Sequence, residues 1–159
     1  MYRRIVILAV FAACALLARS VAGANPGWGA EIYAFADPIG APGAVPGGTM
    51  RVYSLILNNG PQSASDVSIT ATLPELTTLV ALDYIGADCS SPTPSTISCT
   101  VPSMGPVPSL GAAIAMRVTL AVDPSATADT PLPFTVYVTA SNATTTDAQR
   151  TGTEIAHVL

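Results

Sequence analysis

The sequence contains no lysine and a single histidine, and only 10% of its 159 residues are charged. Its acidic residues outnumber its arginines by ten to six, which gives a formal net charge of −4. A surface of that sign repels phosphate backbones, so nucleic-acid binding is disfavoured. A hydrolase would need a nucleophile and a base, but there is no Gly-x-Ser-x-Gly motif, and we expect His157 to be an ordinary strand residue. We therefore predict a protein that is not an enzyme and needs no cofactor.

Long apolar runs are also missing, since none approaches the ~20 residues that span a bilayer. A run of 14 apolar residues at positions 5–18 follows the basic "MYRR" and precedes the small residues Ala22 and Ala24. This order is typical of a secretory signal peptide. We predict a signal peptide over residues 1–24, with cleavage after Ala22 as the second choice, and a secreted or cell-surface domain over 25–159. An uncleaved anchor, or a lipid on Cys14 in "FAAC", is the alternative.

Cysteine is scarce, and its positions favour one bond. Cys14 would leave with the signal peptide, so that Cys89 and Cys99 remain. The nine residues between them are rich in Ser, Thr and Pro, which suits a local disulfide in an oxidising compartment. Two free thiols, or half of a metal site, are the alternatives. With one histidine and no second cysteine pair, a zinc site is disfavoured, and we predict no metal.

Strand patterns recur along the rest of the chain, and no regular helix pattern is present. Residues 66–74 alternate, with Val67, Ile69, Ala71 and Leu73 facing one way. The pattern predicts a sandwich of about seven to nine antiparallel strands. Its strands are expected at residues 30–36, 49–58, 66–74, 76–85, 96–101, 112–123, 133–141 and 152–159.

Five short motifs resemble, in order, the conserved repeat domain of bacterial and archaeal surface proteins, also called domain of unknown function eleven. They are Gly47-Gly48-Thr49, Asn58-Asn59-Gly60-Pro61, Leu73-Pro74, Cys89…Cys99 and Val122-Asp123-Pro124-Ser125-Ala126. The resemblance covers residues 30–158 and implies an Ig-like β-sandwich at the cell surface. The family domain usually occurs in tandem arrays, whereas this chain holds one copy. The family has no catalytic residues to transfer.

The turn Asn58, Asn59, Gly60 and Pro61 is a fold signature. Asn and Gly tolerate the positive φ of a tight reversal, and Pro61 keeps the following residues out of the ladder. We interpret this turn as a corner of the sandwich and not as a ligand loop.

Two acidic pairs, Asp83 with Asp88 and Asp123 with Asp129, lie in stretches that look like loops. Such pairs serve glycosidases, but we interpret them as solvated loop residues. Neither pair has the spacing of a calcium loop, although a weak calcium site stays open. Asn142, in the sequon Asn-Ala-Thr, is a candidate glycosylation site.

The strand at residues 49–58 carries an unusual outward set of side chains. Met50, Val52, Ser54 and Ile56 are expected to face inward, which turns Tyr53, Leu55 and Leu57 outward. Exposed apolar patches of this kind mark interfaces, so these three residues are the candidate assembly face. A bulge that shifts the register, coverage by the C-terminal segment, or burial of both faces would each remove it.

Two functions follow from this pattern. The first is a structural or adhesion module that associates with itself, as a filament or matrix subunit, or with other cell-surface proteins. The alternative is a soluble Ig-like module that binds a glycan or protein through loops such as residues 83–98.

Overall fold

The computed structural model describes residues 32–38, 43–106 and 112–159, and every regular element in them is a β-strand. The ten strands are β1 (Ile32–Pro38), β2 (Gly43–Ala44), β3 (Thr49–Asn58), β4 (Ala64–Thr72), β5 (Thr77–Ile85), β6 (Asp88–Thr93), β7 (Thr96–Met104), β8 (Ala113–Val122), β9 (Pro131–Thr139) and β10 (Thr151–Val158). The predicted all-β sandwich is confirmed. The predicted signal peptide, with Ala22, Ala24 and Cys14, lies outside the described residues.

The strands form two sheets. One has four strands in the order β1-β3-β8-β5, and the other has six in the order β2-β10-β9-β4-β7-β6. Pairing is antiparallel throughout these sheets, except that the two-residue β2 runs parallel to β10. Strand β1 also approaches β9 and β10, which belong to the opposite sheet. The two sheets are therefore linked along the β1 side of the sandwich.

The core lies between the sheets and follows the period-2 pattern of the sequence. In β4 the predicted inward residues are buried, and in β8 the same is true of every second residue from Ile114 to Val122. Phe134 of β9 is the largest fully buried side chain among the described residues. Each large aliphatic or aromatic side chain buried in this way contributes about 1.5–3 kcal/mol relative to exposure. Alternation of apolar and polar residues therefore fixes which face of each strand points inward.

Strand β6 was not predicted, because its sequence, "DCSSPT", lacks apolar alternation. It pairs with β7, which extends to Met104, three residues beyond its predicted end. Residues 83–98, named as loops in the alternative function, contain the end of β5 and the start of β7, both within predicted strands, and the unpredicted β6 between them. That stretch is a short-turned hairpin region and not a long loop.

No helix in the described part of the chain has the length and hydrophobicity needed to cross a membrane.

Candidate assembly surface

The four-stranded sheet has an inner and an outer face, and β3 alternates between them. Met50, Val52 and Ile56 belong to the buried core between the sheets. Because neighbouring residues on a strand point to opposite faces, Tyr53, Leu55 and Leu57 lie on the outer face. We call these three residues the outer stripe.

Antiparallel register brings more apolar residues into line with the outer stripe. Leu55 pairs with Ala115 of β8, and Ala115 pairs in turn with Ile85 of β5. Leu57 pairs with Ala113 in the same way. Directly opposed residues share a face, so the outer side of the sheet carries two apolar rows.

A polar row lies beside these two rows. Tyr53 pairs in register with Arg117, and Arg117 pairs with Asp83. Both Nε and Nη2 of Arg117 donate to Oδ2 of Asp83, at 3.0 and 2.6 Å. Both side chains are about half exposed, so this ion pair contributes little to stability, in the range of about 0–1 kcal/mol. The row marks the polar boundary of the apolar surface.

The outer stripe is not uniformly open. Leu55 is only 6% exposed and Ala115 is also buried, although neither belongs to the core between the sheets. Tyr53 and Leu57 are half-buried. Leu55 is therefore the covered centre of the stripe, and Leu57 is its more accessible aliphatic residue.

The turn after β3 is held by one buried side chain. The Asn58 amide nitrogen donates to the carbonyl oxygens of Gln62, at 2.7 Å, and Met104, at 3.0 Å. Its Oδ1 accepts a hydrogen bond from the backbone N–H of Gly60 at 3.1 Å. Asn58 is fully buried, so it joins the turn to the end of β7 from inside the protein.

The reason given from sequence for this turn, a positive φ, is wrong. Among the described residues positive φ occurs elsewhere, at Gly47, Asp66, Leu76, Gly86 and Asp129. The turn residues, Asn58, Asn59, Gly60 and Pro61, lead from β3 to β4 in the other sheet without a positive φ, and the Asn58 side chain makes the hydrogen bonds that hold them.

The predicted disulfide is present between Cys89 and Cys99. The two residues pair directly across β6 and β7. Cys99 is fully buried, and its sulfur lies 3.4 Å from the sulfur of Met116 in β8. The bond therefore attaches the polar edge strand β6 to a core position of β7.

The first candidate acidic pair lies on two different sheets. Asp83 and Asp88 were expected in loops, but Asp83 lies within β5 and Asp88 begins β6, because both positions pair with neighbouring strands. No group of three or more His, Cys, Asp or Glu side chains that could hold a metal ion occurs in the described ranges. His157 lies in β10, with Nδ1 3.3 Å from the Asp129 carbonyl oxygen.

Asp123 does lie in a turn, after β8. Its Oδ1 accepts hydrogen bonds from the Ser125 hydroxyl at 2.6 Å and the Ser125 backbone N–H at 2.7 Å. Both bonds favour the charged form, the hydroxyl bond more strongly, and lower the pKa of the Asp123 carboxyl below its usual 3.8. The lowered pKa therefore reflects a local turn and not a catalytic pair.

Asn142 uses its amide to join its own loop to the start of β4 and the residue before it. Its Oδ1 accepts a hydrogen bond from the Ser65 backbone N–H at 3.0 Å, and its Nδ2 donates to the Ser63 carbonyl oxygen at 2.9 Å. These bonds give the residue a structural role, while glycosylation at this position stays a prediction.

Comparison with known proteins relates the fold, but not the sequence, to bacterial surface proteins. No protein-family model matches the chain, and no curated protein matches it. Among solved structures, the collagen-binding domain of a Staphylococcus aureus adhesin is similar with a TM-score of 0.54 at 10% identity, covering 79% of this chain and 97% of that one. A variant of BcpA, the major pilin subunit of Bacillus cereus, has a TM-score of 0.59 at 11% identity, with coverage of 81% and 40%.

A third similar structure is the CARDB domain of the PF1109 protein from Pyrococcus furiosus, with a TM-score of 0.55 at 8% identity and coverage of 83% and 90%. Identities this low establish the fold alone. The chain is an Ig-like β-sandwich of the kind found in adhesin and pilin domains.

Proposed function

We propose that this chain is a secreted or cell-surface structural module, without catalytic activity, that associates with itself or with other surface proteins. The observation that carries the proposal is the apolar outer side of the four-stranded sheet, where Leu57, Ala113 and Ile85 accompany Leu55 and Ala115. A solvated sheet face normally carries polar residues at these positions. The order of the five family-like motifs supports the assignment to the conserved repeat domain.

The fold comparisons support the same class of function. The adhesin and pilin structures present this sandwich as a binding or structural domain, and their names describe collagen binding and a pilus subunit. The alternative, ligand binding through residues 83–98, loses its main support because that stretch is largely β-strand.

Self-association is tested on the exported protein by size-exclusion chromatography with light scattering over a range of concentrations, followed by negative-stain microscopy. We expect a mass above that of the monomer that rises with concentration. A protein that stays monomeric at every concentration, with no assemblies on the grid, would remove self-association from the proposal.

The outer stripe is tested with a charge at Leu57. The variant Leu57→Glu should fold and associate more weakly, because a carboxylate would have to be desolvated at the contact. The matched control is Thr70→Glu, which adds the same charge at an exposed position on β4 of the other sheet. Leu55→Glu is a poorer probe, since Leu55 is buried and the variant would destabilise the monomer itself.

A further inference from the structure

Four of the large apolar side chains that the described structure leaves exposed lie within one ten-residue stretch. They are Leu76, Val80, Tyr84 and Ile85. The last three are 58%, 43% and 53% exposed and belong to β5, the terminal strand of the four-stranded sheet. Strand β5 pairs with β8 on one side, and no described strand pairs with its other side. A long apolar edge of this kind is a template for adding another strand.

The other sheet edges in the described part of the chain are protected. β2 has only two residues, and β1 lies against the opposite sheet. β6 contains Pro92, has an irregular register and is bonded to β7 by the disulfide. Strand β5, in contrast, has nine residues with neither proline nor lysine. Its one irregularity is a bulge at Val80, where the register with β8 shifts.

The charge on β5 does not prevent pairing with a second copy of the same strand. Its only charged residue is Asp83, which already pairs with Arg117. If two copies of β5 ran antiparallel about an axis at Ala81, the whole strand would lie opposite its copy, with the ladder interrupted at the Val80 bulge, and the two Asp83 side chains would lie four residues apart along the strands. That is about 14 Å, beyond the screening length of about 8–10 Å in physiological salt.

A register centred on Asp83 would instead oppose two carboxylates at about 5 Å. Symmetric pairing about Ala81 therefore gives the longest overlap of the two strands and still keeps the two carboxylates apart, and a symmetric two-fold contact is the commonest form of self-association.

We infer that the free edge of β5 pairs antiparallel with β5 of a second copy of this chain, centred on Ala81, and joins the two four-stranded sheets into one. This inference rests on the proposed self-association and names a contact for it. The edge lies on β5 and the outer stripe on β3, so each is tested at residues outside the apolar rows of the other: Ala81 and Val80 for the edge, and Leu57 for the stripe.

The register is tested by disulfide trapping in the full exported chain. Ala81 and Thr78 are both exposed, and both pair with outer-face positions of β8. In the proposed dimer two copies of Ala81→Cys would have Cβ atoms about 5 Å apart, close enough to bond after small adjustment. Two copies of Thr78→Cys would be separated by six residues, about 20 Å, and should not bond. We expect a covalent dimer under mild oxidation for Ala81→Cys alone.

A matched pair of lysine variants tests the edge without new cysteines. Val80 of β5 and Ile155 are exposed to 58% and 52%, and Ile155 lies on β10 of the other sheet. Val80→Lys should raise the dimer dissociation constant by about tenfold or more, because a charge enters the apolar contact. Ile155→Lys makes the same change in net charge and should not weaken association.

The outcomes separate the two proposals. If the wild type associates but Ala81→Cys is not trapped and Val80→Lys associates normally, the edge inference is overturned while self-association stands. Equal trapping of Ala81→Cys and Thr78→Cys would also overturn it, since the register would not be the one inferred. A wild type that is monomeric throughout overturns both.

Discussion

Removing the Asn58 side chain should destabilise the domain more than its position in a turn suggests. Asn58→Ala deletes three hydrogen bonds at once, to the carbonyl oxygens of Gln62 and Met104 and from the N–H of Gly60. A net hydrogen bond contributes about 1 kcal/mol, and a buried group left without a partner costs about 1–3 kcal/mol. Water entering the partly buried side near Gln62 would recover some of this loss. We therefore expect about 3–4 kcal/mol, a large part of the 5–15 kcal/mol that stabilises a typical domain.

Urea unfolding followed by far-ultraviolet circular dichroism measures this loss. The midpoint should fall without a change in slope, and the melting temperature should fall by about 10–15 °C for a domain of this size. The control is Asn59→Ala, one residue further along the turn and only partly buried, which should change the unfolding free energy by less than about 0.5 kcal/mol. A cost below about 1 kcal/mol for Asn58→Ala would refute the argument that its buried bonds hold the turn.

An isosteric variant separates hydrogen bonding from packing. In Asn58→Asp the new carboxylate would be buried and would face two carbonyl oxygens, so its pKa in the folded state should rise above the usual value of about 3.9. Only the neutral acid can donate a hydrogen bond to those oxygens. The penalty is therefore smallest below the unfolded-state pKa and grows as the pH rises through the folded-state pKa. The variant should be closer to wild type at pH 3 than at pH 7.

Four further expectations concern the core, the disulfide, a turn and the net charge. The Cys89→Ala/Cys99→Ala variant should lose about 2–3 kcal/mol in urea unfolding, because the bond closes a short loop. Ser54→Ala should be at least as stable as wild type by the same assay, since the buried Ser54 Oγ has no hydrogen-bond partner in the described structure. The Asp123 carboxyl should titrate below 3.8 by NMR, and Ser125→Ala should raise that pKa. Because the folded-state pKa is lowered, the stabilising effect of Asp123 is present above the unfolded-state pKa and is lost as the pH falls through the folded-state pKa. Added salt should strengthen self-association in light scattering, because three arginines against ten acidic residues after position 24 make two copies repel.

The sequence predicted the strands that obey a simple periodic rule. In β4 and β8 every second residue is apolar, and those residues form the core because side chains alternate across a sheet. The rule fails at the start of β4, where Asp66 has a φ of 51° and both Ala64 and Val67 point inward, three residues apart. A single residue in the left-handed region changes the phase of a strand, and nothing in the local composition indicates it.

Strand β6 shows a second limit. Its residues have no apolar pattern of their own, so local propensity predicts a turn-rich connection. What makes it a strand is pairing with β7 and the disulfide at Cys89. The cysteine spacing was visible in the sequence, but the conformation of the segment between the cysteines depends on a neighbouring strand.

For the outer stripe, too, one property was predictable from the sequence and another was not. Its direction follows from alternation in β3, because Met50, Val52 and Ile56 are core residues. The burial of Leu55 does not follow, since exposure depends on what lies beside a strand and not on its own sequence. Likewise, residues 76–85 were predicted as a strand, but their place at the edge of a sheet is set by the order of strands that are distant in sequence.

The lack of lysine and the open edge of β5 are physically connected. Many proteins keep edge strands apart by placing charged side chains, most often lysine, on them. This chain has no lysine, so its edge strands are protected from pairing with another chain by other features. Strand β2 has only two residues, β6 has a proline and a disulfide, and β1 contacts the opposite sheet. On β5 the one charge belongs to Asp83, and Arg117 already neutralises it. Repulsion between the acidic surfaces of two copies opposes non-specific contact, and salt weakens this repulsion. The unpaired backbone groups of β5 are not affected by salt and stay available for pairing. In the proposed self-association, the composition that we expect to disfavour phosphate-rich partners would also leave β5 without the charges that keep edge strands apart.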